Sequence, residues 1–272
     1  MFVRVVSTRL IALVAITGGV ASQAHASDFA SSVVSYNAGT GASASYQTPA
    51  SALGSPARFT GESFGFDGAV TPFNAPFEPD EIVQIGRGGH LTLGFDHDVA
   101  DDALNPFGYD LLVFSNAFYI DSGFPNGVAS GIFGGNIGAV SVSQDGINFL
   151  PVLSVGPVRP TLGYADLSDP YATTPGLMPT DFTKPVDPAF NPVGQSFAAI
   201  TAAYNGSGGG IGIDLAGTGL SWIRYIRFDV STAGALAVID GVSDVAPIPA
   251  PGALSLLALA AAAGRGRRQD AR

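Results

Sequence analysis

Five carboxylates crowd the stretch between Asp96 and Asp110, namely Asp96, Asp98, Asp101, Asp102 and Asp110. Hard oxygen donors at this density could hold calcium, which takes about six to eight of them. The spacing is not that of an EF-hand, because the loop glycine and the closing bidentate glutamate are missing. A solvated acidic turn would have the same composition. Asp214, Asp240 and Asp244 are further carboxylates able to staple loops. Calcium is the one cofactor these residues suggest.

Two imidazoles, His90 and His97, bracket the start of the acidic stretch. With no cysteine in the chain and no third histidine beside them, they do not make a zinc centre. The lack of cysteine also excludes thiol nucleophiles and iron–sulfur centres. Gly61-Glu62-Ser63-Phe64-Gly65 has the G-x-S-x-G spacing of a nucleophile elbow. That chemistry needs a strand before the serine and a helix after it, whereas Asp67-Gly68 and Thr71-Pro72 follow here. Glycoside hydrolysis needs a pair of carboxylates at a set separation, and nothing in the sequence nominates the pair. Trp222 and the tyrosines could stack on a sugar ring, but Trp222 opens a strand and reads as core or rim. No dinucleotide or P-loop glycine pattern is present. No catalytic residue is therefore assigned, and a non-enzymatic protein is the expectation.

The elements that must position these groups read as β-structure. His90-Leu91-Thr92-Leu93-Gly94-Phe95-Asp96 alternates, which places Leu91, Leu93 and Phe95 on one buried face. Glu81–Ile85 is a short strand, and Tyr109–Asn116 is apolar enough to be a central one. Gly123–Gly138 reads as a glycine-rich loop. Ala139–Ser143 alternates, and Gln144-Asp145-Gly146 signals a hairpin turn to a partner strand over Ile147–Val152. Phe197–Tyr204 fits either a helix or a strand. Trp222–Val230 and Leu236–Val242 are late strands, and Val33–Tyr36 is an early edge strand. Eight prolines recur between Val155 and Val193, a density that no ordinary strand or helix tolerates. This segment is a long surface excursion. Short strands without βαβ alternation predict an all-β fold, a jelly-roll sandwich with long loops.

Both ends of the chain read as targeting segments. Arg4 and Arg9 precede an apolar run from Leu10 to Val20, and Ala24-His25-Ala26 then presents a signal-peptidase pattern. Residues 1–26 are thus a signal peptide, with cleavage between Ala26 and Ser27. Residues 27–246 form one β-sandwich body, and 247–272 a tail. The body holds six basic against 21 acidic residues, a net charge near −15. Such a surface repels phosphate backbones and excludes nucleic acid as a partner.

Several stretches carry a family resemblance: Leu53–Pro56, Gly88–Phe95, Asp110–Phe114, Val142–Gly146 and Ile239–Val242. In this order they resemble a group of bacterial cell-surface proteins with carboxy-terminal sorting tails. The resemblance covers most of 50–245 and implies a galactose-binding-like β-sandwich, an architecture shared by many carbohydrate-binding modules. The tail itself is similar to a PEP-CTERM signal: Pro249-Ala250-Pro251, a short apolar run, then Arg265, Arg267 and Arg268. Ala250 stands where that family has glutamate. The resemblance implies an exosortase-like processing enzyme as partner, in bacteria that make exopolysaccharide. The apolar run Ala253–Ala263 spans only about 17 Å as a helix, against a hydrocarbon core of about 30 Å. It suits a transient membrane stop rather than a permanent anchor, and the mature chain is expected to end near Pro251. Together these features predict an exported, non-catalytic cell-surface or extracellular-matrix protein whose β-sandwich either binds carbohydrate or simply builds the envelope. The alternatives are a secreted polysaccharide hydrolase and an adhesin that meets a protein partner through its proline-rich loop.

Overall fold

The computed structural model describes residues 27–245. The leader residues Ala24 and Ala26, and the tail residues Pro249, Ala250, Pro251, Arg265, Arg267 and Arg268, lie outside the described residues. Among those described, no helix is long and apolar enough to cross a membrane.

Antiparallel β-structure dominates, as the alternation predicts. A five-stranded sheet runs in the order β1 (Ser32–Asn37), β5 (His90–Ala100), β13 (Trp222–Asp229), β9 (Ala139–Ser143) and β10 (Leu150–Pro151). A four-stranded sheet runs β11 (Ser154–Val155), β12 (Ile211–Asp214), β6 (Leu111–Phe114) and β15 (Gly241–Asp244). Three two-stranded ribbons complete the sheets: β2 (Phe59–Thr60) with β3 (Gly68–Ala69), β4 (Val83–Ile85) with β14 (Ala237–Ile239), and β7 (Phe118–Asp121) with β8 (Ala129–Phe133). Among the described residues there is one α-helix, α1, spanning Phe197–Tyr204.

The main core lies between the two larger sheets. Leu91, Leu93, Phe95, Ile226 and Phe228 from one meet Leu111, Val113, Ile213 and Val242 from the other. Truncating one such buried leucine to alanine costs about 2–5 kcal/mol. Every residue of β6 is buried, because the alternate side chains Leu112 and Phe114 face outward into a separate cluster with Phe182. A strand covered on both faces has no solvent side to mark with polar residues, which explains the unbroken apolar run Leu111–Phe114.

The outer cover of β6 comes from the proline-rich excursion between β11 and α1. It is ordered and packs its own cluster, including Leu162, Val186, Phe197, Ile200 and Tyr204. Proline lacks an N–H, so the segment carries more carbonyl acceptors than backbone donors. Arginine and hydroxyl side chains make up the difference. The Arg58 guanidinium donates to Gly163 O, Thr180 Oγ1 and Thr180 O and lies 4.0 Å over the Phe182 ring. Ser243 donates to Phe182 O, and Ser207 to Lys184 O. Gly208 lets the Phe182 ring approach so closely that a Cβ there would fall 2.0 Å from it. Helix α1 resolves the ambiguity of Phe197–Tyr204: the Ser196 hydroxyl caps it, Asn205 closes it at φ 49°, and Phe197, Ile200 and Tyr204 share its buried face.

Three sequence expectations are corrected. Part of Gly123–Gly138 is strand β8, because Asp121 accepts hydrogen bonds from the amides of Gly123, Gly127 and Val128 and folds the chain back. The hairpin after β9 exists, but its second strand is only Leu150–Pro151, extended by the Val152 amide donating to Val140 O. Asp145 gathers the amides of Ile147 and Asn148 into the loop, which shortens the strand. Leu236–Val242 is two strands in different sheets, broken at Asp240.

Replacing Arg58 with alanine removes three charge-assisted hydrogen bonds and is expected to cost about 2–3 kcal/mol. For a domain this size that corresponds to a fall in Tm of about 4–12 °C. Calorimetry showing an unchanged Tm would mean that the excursion holds without this staple.

Candidate functional site

The acidic stretch is shaped by a wide bulge in β5. Gly94 pairs with Tyr225 and Val99 with Ile223, so five steps along β5 oppose two along β13. The surplus residues, Phe95 to Asp98, leave the ladder, and bulges of this kind re-aim side chains. His97 is directed to the neighbouring sheet. Its Nε2 lies 2.9 Å from Asp244 Oδ2 on β15, and its Nδ1 lies 2.9 Å from Asp96 Oδ1. Asp96 also accepts from the Ser27 amide.

The charges follow from these contacts. Burial pushes the His97 imidazole down, but the two flanking carboxylates prevail and hold its pKa above the ordinary value. Burial raises Asp244 to about 6 against the pull of His97. The hydrogen bond to His97 lowers Asp96. His90 sits at the other end of β5, where burial and Arg227 lower it.

The five carboxylates singled out by their spacing do not converge as one group. Asp96 faces His97, and Asp98 pairs with Arg224 across the bulge. Asp102 accepts from the Leu104 amide and closes a local turn. Asp101 and Asp110 do come together, and the structure adds Asp214, from the end of β12, as their third partner. One oxygen from each of the three lies within 4.8 Å of the others. Asp110 is fully buried and accepts from the amides of Asp102 and Leu215 and from Asn105 Nδ2. Burial raises its pKa against these donors. A carboxylate offers about four lone-pair sites, so three donors leave about one for a cation. The amide oxygen of Asn105, buried and without a hydrogen-bond partner, belongs to the same amide that donates to Asp110. The three carboxylates are hard donors of the kind calcium takes, with water to complete the shell.

Asp240 instead staples a loop. It is fully buried, accepts from the Ala57 amide, and has its pKa raised well above the ordinary value by burial. The Gly61–Gly65 motif forms a 3-10 turn between two left-handed glycines, and the Ser63 amide donates to Glu78. It has no following helix and is not a nucleophile elbow.

A cleft of about 230 Å³ opens at the far end of β6 from these carboxylates. Phe73, Phe77 and Phe118 wall it, with the side-chain amides of Asn74 and Asn116. No ionisable side chain lines it among the described residues. The sequence reading missed this cleft because one wall, Phe73 to Phe77, and the other, Asn116 to Phe118 at the start of β7, are distant in sequence and no local pattern joins them. No protein-family model matches the sequence, and no curated protein matches it.

The His97 contacts have a testable pH dependence. A histidine whose folded pKa is raised stabilises the fold below its unfolded pKa of about 6.5, and this is lost as pH rises through the folded value. The Tm advantage of the wild-type protein over His97→Gln should therefore shrink between pH 6 and pH 8 in thermal melts. An advantage constant across that range would show that folding does not raise the His97 pKa.

Proposed function

We propose that the chain is an exported, non-catalytic surface or matrix protein whose body binds carbohydrate. The observation that carries this reading is the Phe73–Phe118 cleft. The partly exposed Phe77 and Phe118 rings offer stacking surfaces for sugar rings, over the buried Phe73, and the Asn74 and Asn116 amides can both donate hydrogen bonds to hydroxyls and accept them. Hydrolysis of a glycoside requires two carboxylates about the scissile bond, and none lines the cleft, which favours binding over turnover. The two antiparallel sheets packed across one core are consistent with a jelly-roll, galactose-binding-like sandwich. The leader and the PEP-CTERM-like tail support export and sorting by an exosortase-like enzyme, with exopolysaccharide as the natural ligand class. On a glycan array, the exported chain, with an intact mass ending near Pro251, should retain polysaccharide without releasing product. Asn116→Ala and Phe118→Ala should each weaken retention by about tenfold, the loss of one good contact. Retention of no glycan, or cleavage of a bound one, overturns the proposal.

The Asp101, Asp110 and Asp214 group is the place for calcium in this reading, as a brace rather than a reaction centre. At about 100 times its Kd, a ligand of the folded state adds about 2.7 kcal/mol, or a rise in Tm of about 5–10 °C. Calcium added to chelator-treated protein should produce that rise, and Asp214→Asn should abolish it. An unchanged Tm on adding calcium retires the calcium site.

A further inference from the structure

A second pocket, of about 290 Å³, forms where the two ends of the proline-rich excursion meet the β7–β8 ribbon. Ile132, Pro157, Val158 and Val193 give it apolar walls, and Arg159 and Tyr119 are its polar lining. It is distinct from the cleft of the carbohydrate reading: Phe118 and Tyr119 are successive residues of β7, and successive strand side chains point to opposite faces.

Arg159 is only 7% exposed, and Tyr119 only 2%. The guanidinium Nη2 donates to Phe190 O at 2.6 Å and to Pro188 O at 3.1 Å, which closes the excursion on itself. The rest of the group is poorly satisfied. Nη1 has only Val158 O, at 3.5 Å, and Nε has no partner. No carboxylate pairs with Arg159 among the described residues. The Tyr119 hydroxyl lies beside Arg159 and Tyr204 but makes no hydrogen bond of good geometry to either. The neighbouring Tyr204 hydroxyl donates to Pro160 O, so it already has a protein acceptor.

A buried guanidinium held by neutral carbonyls and, at 5.7 Å, the Phe190 ring is costly, because its charge is desolvated without a counter-ion. An incoming carboxylate would supply that counter-ion and take N–H donors left without partners. The walls set the rest of the ligand. Apolar surface disfavours a hydrated inorganic anion and rewards an attached hydrocarbon. The volume lies at the lower edge of the roughly 300–1,000 Å³ usual for ligand pockets, which suits a short aliphatic or single-ring acid. We propose that this pocket binds a small amphipathic carboxylate, with its head group at Arg159 and Tyr119 and its apolar body between Ile132, Val158 and Val193.

Titration calorimetry of the full chain with octanoate and with octan-1-ol separates the head group from the tail. Octanoate should bind at least tenfold more tightly than the alcohol at neutral pH. Val193→Trp, at a wall position that is 56% exposed, should abolish binding by filling the pocket without disturbing the Arg159 hydrogen bonds. Arg159→Met, if it folds, should bind both ligands equally. No heat from octanoate, equal affinities for acid and alcohol in the wild-type chain, or unchanged octanoate binding by Val193→Trp would each overturn the assignment.

Discussion

The constraint on which this structure depends is a shortage of hydrogen-bond donors. The eight prolines of the excursion bring carbonyls to the surface of β6 but no N–H groups to answer them. Buried carbonyls must still be paired. Arg58 and Arg159 answer part of that demand from within the fold, each reaching carbonyls far away in sequence. They help hold Phe182 of the excursion against Phe114, which keeps the outer face of β6 covered. In this acidic body, two of the six basic residues are therefore committed to internal carbonyls rather than to surface charge.

The same economy governs the carboxylates. Asp121 and Asp145 fold turns through backbone amides, Asp240 is a buried staple, and Asp96 and Asp244 hold His97 between the sheets. An acidic composition that suggests only solubility thus conceals several local roles. Among the described residues, Asp101, Asp110 and Asp214 face one another, and mutual repulsion among three such groups is what a divalent cation would relieve.

Much of the fold was legible in the sequence, and the reasons are local. The alternation of Leu91, Leu93 and Phe95 predicted the inner face of β5, and the unbroken run Leu111–Phe114 marked the interior strand. Where the sequence failed, long-range contacts decided the outcome. The bulge at Phe95–Asp98 depends on how β13 pairs, and no pattern within β5 announces it. Ala129–Phe133 becomes a strand because Asp121 folds the chain back, not because its own side chains alternate. Of the candidate site, Asp101 and Asp110 were visible as part of an acidic cluster. Asp214 lies more than a hundred residues on, and its approach is set by the pairing of β12 with β6. The cleft at Phe73 and Asn116 was invisible for the same reason.

The pairing of β6 with β15 also gives the molecule a polarity. The Val245 amide donates to Asp110 O, just before β6 begins, and the Asp244 amide donates to Asp28 O. The first and last described residues of the body therefore leave from the same end of β6, while Asn116 and its cleft lie beyond the other end. A tether joined at Val245 would orient the body like a lamp on its stem. The aromatic cleft would face outward, and the carboxylate cluster would sit near the point of attachment.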